Sequence, residues 1–157
     1  MNVSLITIGK TKTPYLIQGI EEYLKRLGHY LPLTIVQIPD LKNASRLSRD
    51  EQKEAEGTLI LQKILPGDHT VLLDERGRQY TSEEYASKLQ GFMVSGLKRL
   101  NLVIGGPFGF SKAVYDKADE LMSLSKMTFN HEMIRLFILE QTYRAMTILR
   151  GEKYHHA

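Results

Sequence analysis

Short apolar runs alternate with stretches of helical periodicity from one end of the chain to the other, and this alternation constrains the fold more than any other feature. Val3–Ile8 is an apolar run closed by Gly9, the mark of a buried strand. Pro14, a favoured first-turn residue, opens a helix whose apolar positions Leu16, Ile20, Tyr23, Leu24 and Leu27 recur at helical spacing until Gly28 stops it. Leu33–Ile38, bounded by Pro32 and Pro39, reads as a second strand. Asp40–Arg49 reads as a mobile polar loop, and Ser48 with Glu51 three residues on is a capping box that predicts a helix from about Arg49 to Leu65. Pro66-Gly67-Asp68 turns the chain into a third strand, His69–Asp74. Thr81 with Glu84 makes a second capping box, starting a helix with Tyr85, Leu89, Phe92 and Met93 on its buried face. A fourth strand, Leu100–Ile104, runs into Gly105-Gly106-Pro107-Phe108-Gly109. Ser111 caps a short helix ending near Asp119, and Leu121, Met122 and Leu124 mark a fifth strand. A final helix runs from about His131 to Arg150, with Ile134, Ile138, Gln141, Ala145 and Leu149 on one stripe and Gly151 as its stop.

Strands alternating with helices at this spacing predict a single α/β domain over residues 1–157, its largely parallel sheet covered by helices on both faces. The composition agrees: 42% hydrophobic and 25% charged residues can support one core, and no repeat or low-complexity tract interrupts them. The absence of cysteine excludes disulfide scaffolds, thiolate zinc sites, iron–sulfur clusters and cysteine nucleophiles. Five histidines without an H-E-x-x-H spacing predict no metal site, and no G-x-S-x-G elbow supports hydrolase chemistry. The formal net charge of +3 permits a polyanionic partner without requiring one. The N-terminal segment has no basic n-region, and no stretch approaches 18 apolar residues, so the expected setting is cytoplasmic with no membrane partner.

In open parallel sheets, ligands bind beyond the carboxyl ends of the strands. Four segments qualify. Gly105-Gly106-Pro107-Phe108-Gly109 has three glycines in five residues, which permit positive φ and close approach of backbone N–H groups to a ligand. It is neither a dinucleotide fingerprint nor a Walker loop, and Gly9-Lys10-Thr11 reads as a turn. Ser123-Leu124-Ser125-Lys126-Met127-Thr128-Phe129 either wraps a polar ligand or is a plain loop that caps the last helix through Thr128 or Asn130. Asp74-Glu75-Arg76-Gly77-Arg78 follows the third strand; Asp74 caps its own turn or holds a ribose hydroxyl, and Arg76 and Arg78 contact phosphate or solvent. The tail interleaves Arg144, Arg150 and Lys153 with Tyr154, His155 and His156, which suits single-stranded RNA or a solvated helix end equally.

Several of these segments, taken in order, resemble one family. Leu102-Val103-Ile104-Gly105-Gly106-Pro107-Phe108-Gly109, Leu121-Met122-Ser123-Leu124-Ser125-Lys126-Met127-Thr128-Phe129-Asn130-His131, Glu140-Gln141-Thr142-Tyr143-Arg144-Ala145 and Tyr154-His155 together resemble the ribosomal RNA large subunit methyltransferase H family of the SPOUT superfamily. Ile6-Thr7-Ile8-Gly9-Lys10 and Glu22-Tyr23-Leu24-Lys25-Arg26-Leu27 also fit, so the likeness spans essentially the whole chain. The resemblance implies a C-terminal trefoil knot, a homodimer with its active site near the subunit interface, and S-adenosylmethionine bound in a bent shape. It implies cofactor contacts at Leu73, Gly105, Ser123, Leu124, Ser125, Lys126, Met127 and Thr128. It also implies methylation of N3 of a pseudouridine in large-subunit ribosomal RNA on the ribosome, with His131, Arg144, Tyr154 and His155 toward the substrate. His131 or His155 would serve as base, Arg144 would steady an anion or phosphate, and Tyr154 would stack on the base. The chain departs from the family pattern in Phe108 and Phe110 flanking Gly109, and in the additional His156 and Ala157. A non-catalytic RNA-binding module for ribosome assembly and a small-molecule methyltransferase are the rival readings.

Overall fold

The computed structural model describes residues 1–156, and Ala157 lies outside the described residues. These form strands β1 (Asn2–Ile8), β2 (Leu33–Ile38), β3 (His69–Gln79), β4 (Arg99–Ile104) and β5 (Glu120–Ser123). Between and after them lie helices α1 (Pro14–Leu27), α2 (Arg49–Leu61), α3 (Ser82–Val94), α4 (Lys112–Lys117) and α5 (Met133–Leu149). The strands make one all-parallel sheet in the order β2-β1-β4-β3-β5. Of the three internal strands, β1 and β4 are buried almost throughout, as strands covered on both faces must be. The edge strand β2 is only partly buried.

Alternation along each strand builds two cores. Val3, Leu5, Val71, Leu73, Leu100, Leu102 and Ile104 point to the face covered by α1, α3 and α5. Ile6, Ile8, Leu72 and Val103 point to the other, where Ile60 of α2 and Val114 of α4 meet them. The expected α/β class, parallel sheet and two-sided helical cover are therefore present.

The boundaries differ where distant partners intervene. The helix expected to reach Leu65 ends at Leu61, because Lys63 and Ile64 tighten into i→i+3 bonds and Arg99 takes the carbonyl of Lys63. Leu65, which precedes Pro66, is disfavoured in a helix and instead donates its N–H to Asp68. The polar loop before α2 contains one 3-10 turn, Ala44–Arg46. β3 continues past Asp74 to Gln79: Leu73 and Arg78 both lie opposite Met122, so Asp74–Gly77 swing out as a bulge. Gly77 makes this possible, since a Cβ there would lie 2.6 Å from the backbone of Leu121 and Met122. Helix α5 is shorter than expected at its start, and its buried stripe is Arg135, Ile138, Leu139, Thr142, Ala145 and Met146. Only Ile138 and Ala145 of the expected stripe are fully buried, because α5 packs between α1 and α3 and so turns a different arc inward. Phe92 and Met93 of α3 are likewise only partly buried.

Candidate active site

Neighbouring strands β3 and β4 send their following helices to opposite faces of the sheet, α3 to one and α4 to the other. The chain therefore parts at their carboxyl ends and opens a crevice. A cleft of about 890 Å³ occupies it, at the upper end of the range for small-molecule sites. Its floor is Leu73, Ile104 and Gly105; the β3 bulge, the glycine loop and the segment Ser123–His131 form its walls, and Arg49 and Lys53 of α2 reach its rim.

The glycine loop is built for contact with its own protein as much as with a ligand. Gly109 alone of its three glycines has positive φ, at 83°, and donates its N–H to the Gly106 carbonyl to close a four-residue turn. At Gly105 a Cβ would lie 3.0 Å from the Phe110 ring, and at Gly106 it would lie 2.4 Å from the Glu56 carboxylate. Of the freedoms the three glycines permit, positive φ is used by Gly109 alone, while Gly105 and Gly106 are bare where neighbouring side chains pack close.

The β3 bulge is fixed by its own side chains. Asp74 accepts from the N–H of Arg76 at 2.9 Å and from the Tyr115 hydroxyl at 2.5 Å, while the Arg76 guanidinium reaches both Asp74 and Tyr115. Burial raises the Asp74 pKa, but these bonds outweigh it and hold the carboxyl below the ordinary aspartate value. Asp74 thus caps its own turn, the first of its two expected readings. The Arg76 side chain, 71% exposed, remains at the mouth of the cleft. Arg78 lies outside the cleft, stacked over Tyr80.

The segment after β5 holds its shape by local bonds and one long-range tie. Ser123 Oγ donates to the Ser125 carbonyl at 2.7 Å, Ser125 Oγ accepts from the N–H of Met127 at 3.0 Å, and Thr128 Oγ1 donates to Glu75 at 2.7 Å across the cleft wall. Asn130 accepts from the N–H groups of Glu132 and Met133 and so caps α5. Leu73, Gly105, Ser123, Leu124, Ser125, Met127 and Thr128 all line the cleft, as does His131; Lys126 does not. No described residue hydrogen-bonds the His131 imidazole.

Arg144, Tyr154 and His155 lie elsewhere, in a cluster between α1, α3 and α5. Arg144 donates to Glu140 through Nε at 3.1 Å and through Nη2 at 2.5 Å, and Tyr154 donates to the same oxygen at 3.0 Å. The Arg144 guanidinium also lies over the Tyr154 ring, 4.7 Å from its centroid, and Tyr154 meets Tyr23 hydroxyl to hydroxyl at 2.8 Å. Burial and these contacts push the Tyr154 phenol well up from its ordinary value. Arg144 can only donate, so His155 Nδ1 accepts from it at 3.2 Å; the ring proton is then on Nε2, which faces Glu83 at 2.8 Å. Both nitrogens of His155 are therefore engaged, whereas His131 faces the cleft without a partner.

Arg135 was not anticipated among the functional residues. It is 1% exposed and donates to the carbonyls of Ile8 and Gly9, to Thr11 Oγ1 and to the His131 carbonyl. It thereby ties the loop after β1 to the residue that enters the cleft. The sequence around Arg135 carries no signal for this, because three of its four partners, at Ile8, Gly9 and Thr11, lie about 125 residues away. Among the described residues no cluster of histidine, aspartate or glutamate has the geometry to hold a metal ion, and no helix is long and apolar enough to cross a membrane.

Comparison with known proteins places the chain. A family profile described as a predicted SPOUT methyltransferase matches residues 1–155. The chain is 54% identical over 156 residues to the ribosomal RNA large subunit methyltransferase H of Parabacteroides distasonis, covering 99% of both chains. It is 51% identical to the protein of that name from Porphyromonas gingivalis, again over 99% of both. The Cytophaga hutchinsonii protein of that name is 50% identical over 99% of this chain and the whole of its own length.

Proposed function

The chain belongs to the SPOUT methyltransferase family, and from that premise we propose that its cleft binds S-adenosylmethionine and directs methylation of N3 of a pseudouridine in large-subunit ribosomal RNA. The observation that carries this reading is convergence. Leu73, Gly105 and Ser123–Thr128 are spread over about a third of the chain, yet all but Lys126 meet in one crevice at the ends of three parallel strands. The residues fit the cofactor: Leu73, Ile104 and Met122 offer apolar contact for an adenine, and the polar backbone of 123–128 offers hydrogen-bonding groups to its edge. The proposal includes the family's C-terminal knot; it is supported by the course of residues 123–131, which line the same cleft as the ends of β3 and β4.

S-adenosylmethionine supplies an already activated methyl group, so the protein has chiefly to orient the acceptor and exclude water. His131 is assigned as the group that takes the N3 proton, because its imidazole lines the cleft and is free of protein partners. Arg49, Lys53 and Arg76 at the rim are suited to the phosphates flanking the target nucleotide. The Arg144–Tyr154–His155 cluster does not line its own cleft. It would act at the cleft of a second copy, as the homodimer implied by the family allows.

Incubation of the purified protein with methyl-labelled S-adenosylmethionine and ribosomes from cells lacking the gene tests the reading. Label recovered as N3-methylpseudouridine in the large-subunit RNA is the expected result. Binding of ribosomes without transfer of label would instead identify a non-catalytic module, and transfer only to small molecules would remove RNA from the account.

A further inference from the structure

Glu56 is buried in α2 to 4% exposure, and its Oε1 has no hydrogen-bond partner. Its other oxygen accepts from Gln52 Nε2 at 3.2 Å. An unpaired buried carboxyl is costly, so its location matters. Both oxygens lie where a side chain on Gly106 would be, 2.4 and 2.7 Å from that absent Cβ. The next residue of the helix, Gly57, is equally close to the loop's far end: a Cβ there would lie 2.4 Å from Ser111 Oγ. Helix α2 therefore seats the two ends of the glycine loop, with the Glu56 carboxyl beneath one and the bare backbone of Gly57 beneath the other.

We propose that Glu56 is a positioning residue for the cofactor, acting through Gly106: its carboxyl fills the space under the Gly106–Gly109 turn and fixes the height at which that turn meets the ligand. This rests on the reading of the cleft as the S-adenosylmethionine site. The groups acting on Glu56 favour its protonation relative to an ordinary glutamate. Burial is the largest influence and raises its pKa, the negative charge of Asp40 after β2 adds to the rise, and the Gln52 bond opposes them. Gly106 and Gly57–Ser111 present backbone and a hydroxyl, and among the described residues no cation is paired with it. Because the folded pKa is raised, the favourable state is complete at low pH and is lost as pH climbs through that value. Ionisation would draw the carboxyl toward water and release the turn.

Two readouts test this on the full chain. The first is exchange protection of the Gly109 amide, which closes the turn on the Gly106 carbonyl at 3.2 Å, measured without cofactor from pH 5 to pH 9. The second is calorimetric affinity for S-adenosylmethionine over the same range. Wild-type protein is expected to lose protection and affinity as pH rises. Glu56→Gln, a neutral isostere, is expected to match wild type at low pH and to show no such loss. Glu56→Ala removes the support and is expected to lower both by about tenfold at every pH, the effect of roughly one lost packing contact. Parallel pH profiles for wild type and Glu56→Gln would overturn the proposal, as would an unchanged Gly109 amide in Glu56→Ala. The expected exchange pattern with no cofactor binding by any of the three would uphold the hold of Glu56 on the turn and sink the cofactor reading instead.

Discussion

His131 and His155 differ less in chemistry than in company. His155 is held between an arginine that can only donate and a carboxylate that can only accept, so neither ring nitrogen is available for a substrate proton without breaking a bond. His131 enters the cleft with its backbone fixed by Arg135 and its ring unengaged. Replacing His131 with alanine should lower the methyl-transfer rate constant by about 10²-fold or more, while S-adenosylmethionine affinity by calorimetry stays within about twofold. A matching loss of cofactor affinity would make His131 a binding residue rather than the base. At this scale the sequence was informative about which residue types gather and silent about why. Three glycines in five residues marked the ligand loop, yet two of them are required by Phe110 and by Glu56 from a different helix, contacts that no local pattern encodes. Gly105→Val should consequently act on the cleft by displacing the Phe110 ring, in addition to any direct block of a ligand.

At the scale of elements, local chemistry was read best where it is self-contained. Both capping boxes exist as expected, Ser48 with Glu51 and Thr81 with Glu84, because each is closed within four residues. The start of α1 has no such local cap, since Thr13 makes no side-chain bond there. Glu132, just ahead of α5, instead anchors the chain entering α1, accepting from the N–H groups of Lys12 and Thr13 at 2.7 and 3.0 Å. These two bonds hold its carboxyl below the ordinary glutamate value of 4.5. Glu132→Ala should lower stability at neutral pH by about 1 kcal/mol, the usual net worth of a hydrogen bond, and Tm by a few degrees. A depressed folded pKa places this contribution above pH 4.5, and it fades as pH falls through the folded value. Thermal melts of the two proteins should therefore converge in acid; a gap that is constant with pH would show that the loss comes from packing. The missed boundaries of α2 and β3 have the same origin. Arg99 and Met122 determine them from other strands, beyond the reach of periodicity.

For the molecule as a whole, the alternation of runs established the α/β class, but strand order and the resulting crevice required the tertiary structure. The order β2-β1-β4-β3-β5 brings the loops after the last three strands together, and this is why three of the four segments singled out in the sequence share one cleft. The fourth, the tail, belongs to a separate cluster of its own chain. Its proposed role at a second copy's cleft predicts complementation. His131→Ala and a Tyr154→Phe/His155→Ala double variant, each inactive alone, should regain roughly a quarter of wild-type activity when co-assembled. Half of the randomly formed dimers are mixed, and each mixed dimer holds one complete site. A mixture that stays inactive would mean that each site draws on a single chain. The modest charge of +3 also doubles in such a dimer, in keeping with a polyanionic substrate.

The central claim, that the crevice at the ends of β3, β4 and β5 holds S-adenosylmethionine, is tested most directly by calorimetric titration of the purified chain. The expected result is saturable binding of S-adenosylmethionine at no more than one molecule per chain, weakened at least about tenfold by Gly105→Val in a protein that remains folded. Absence of saturable heat with S-adenosylmethionine, or an affinity that Gly105→Val leaves unchanged, would contradict it.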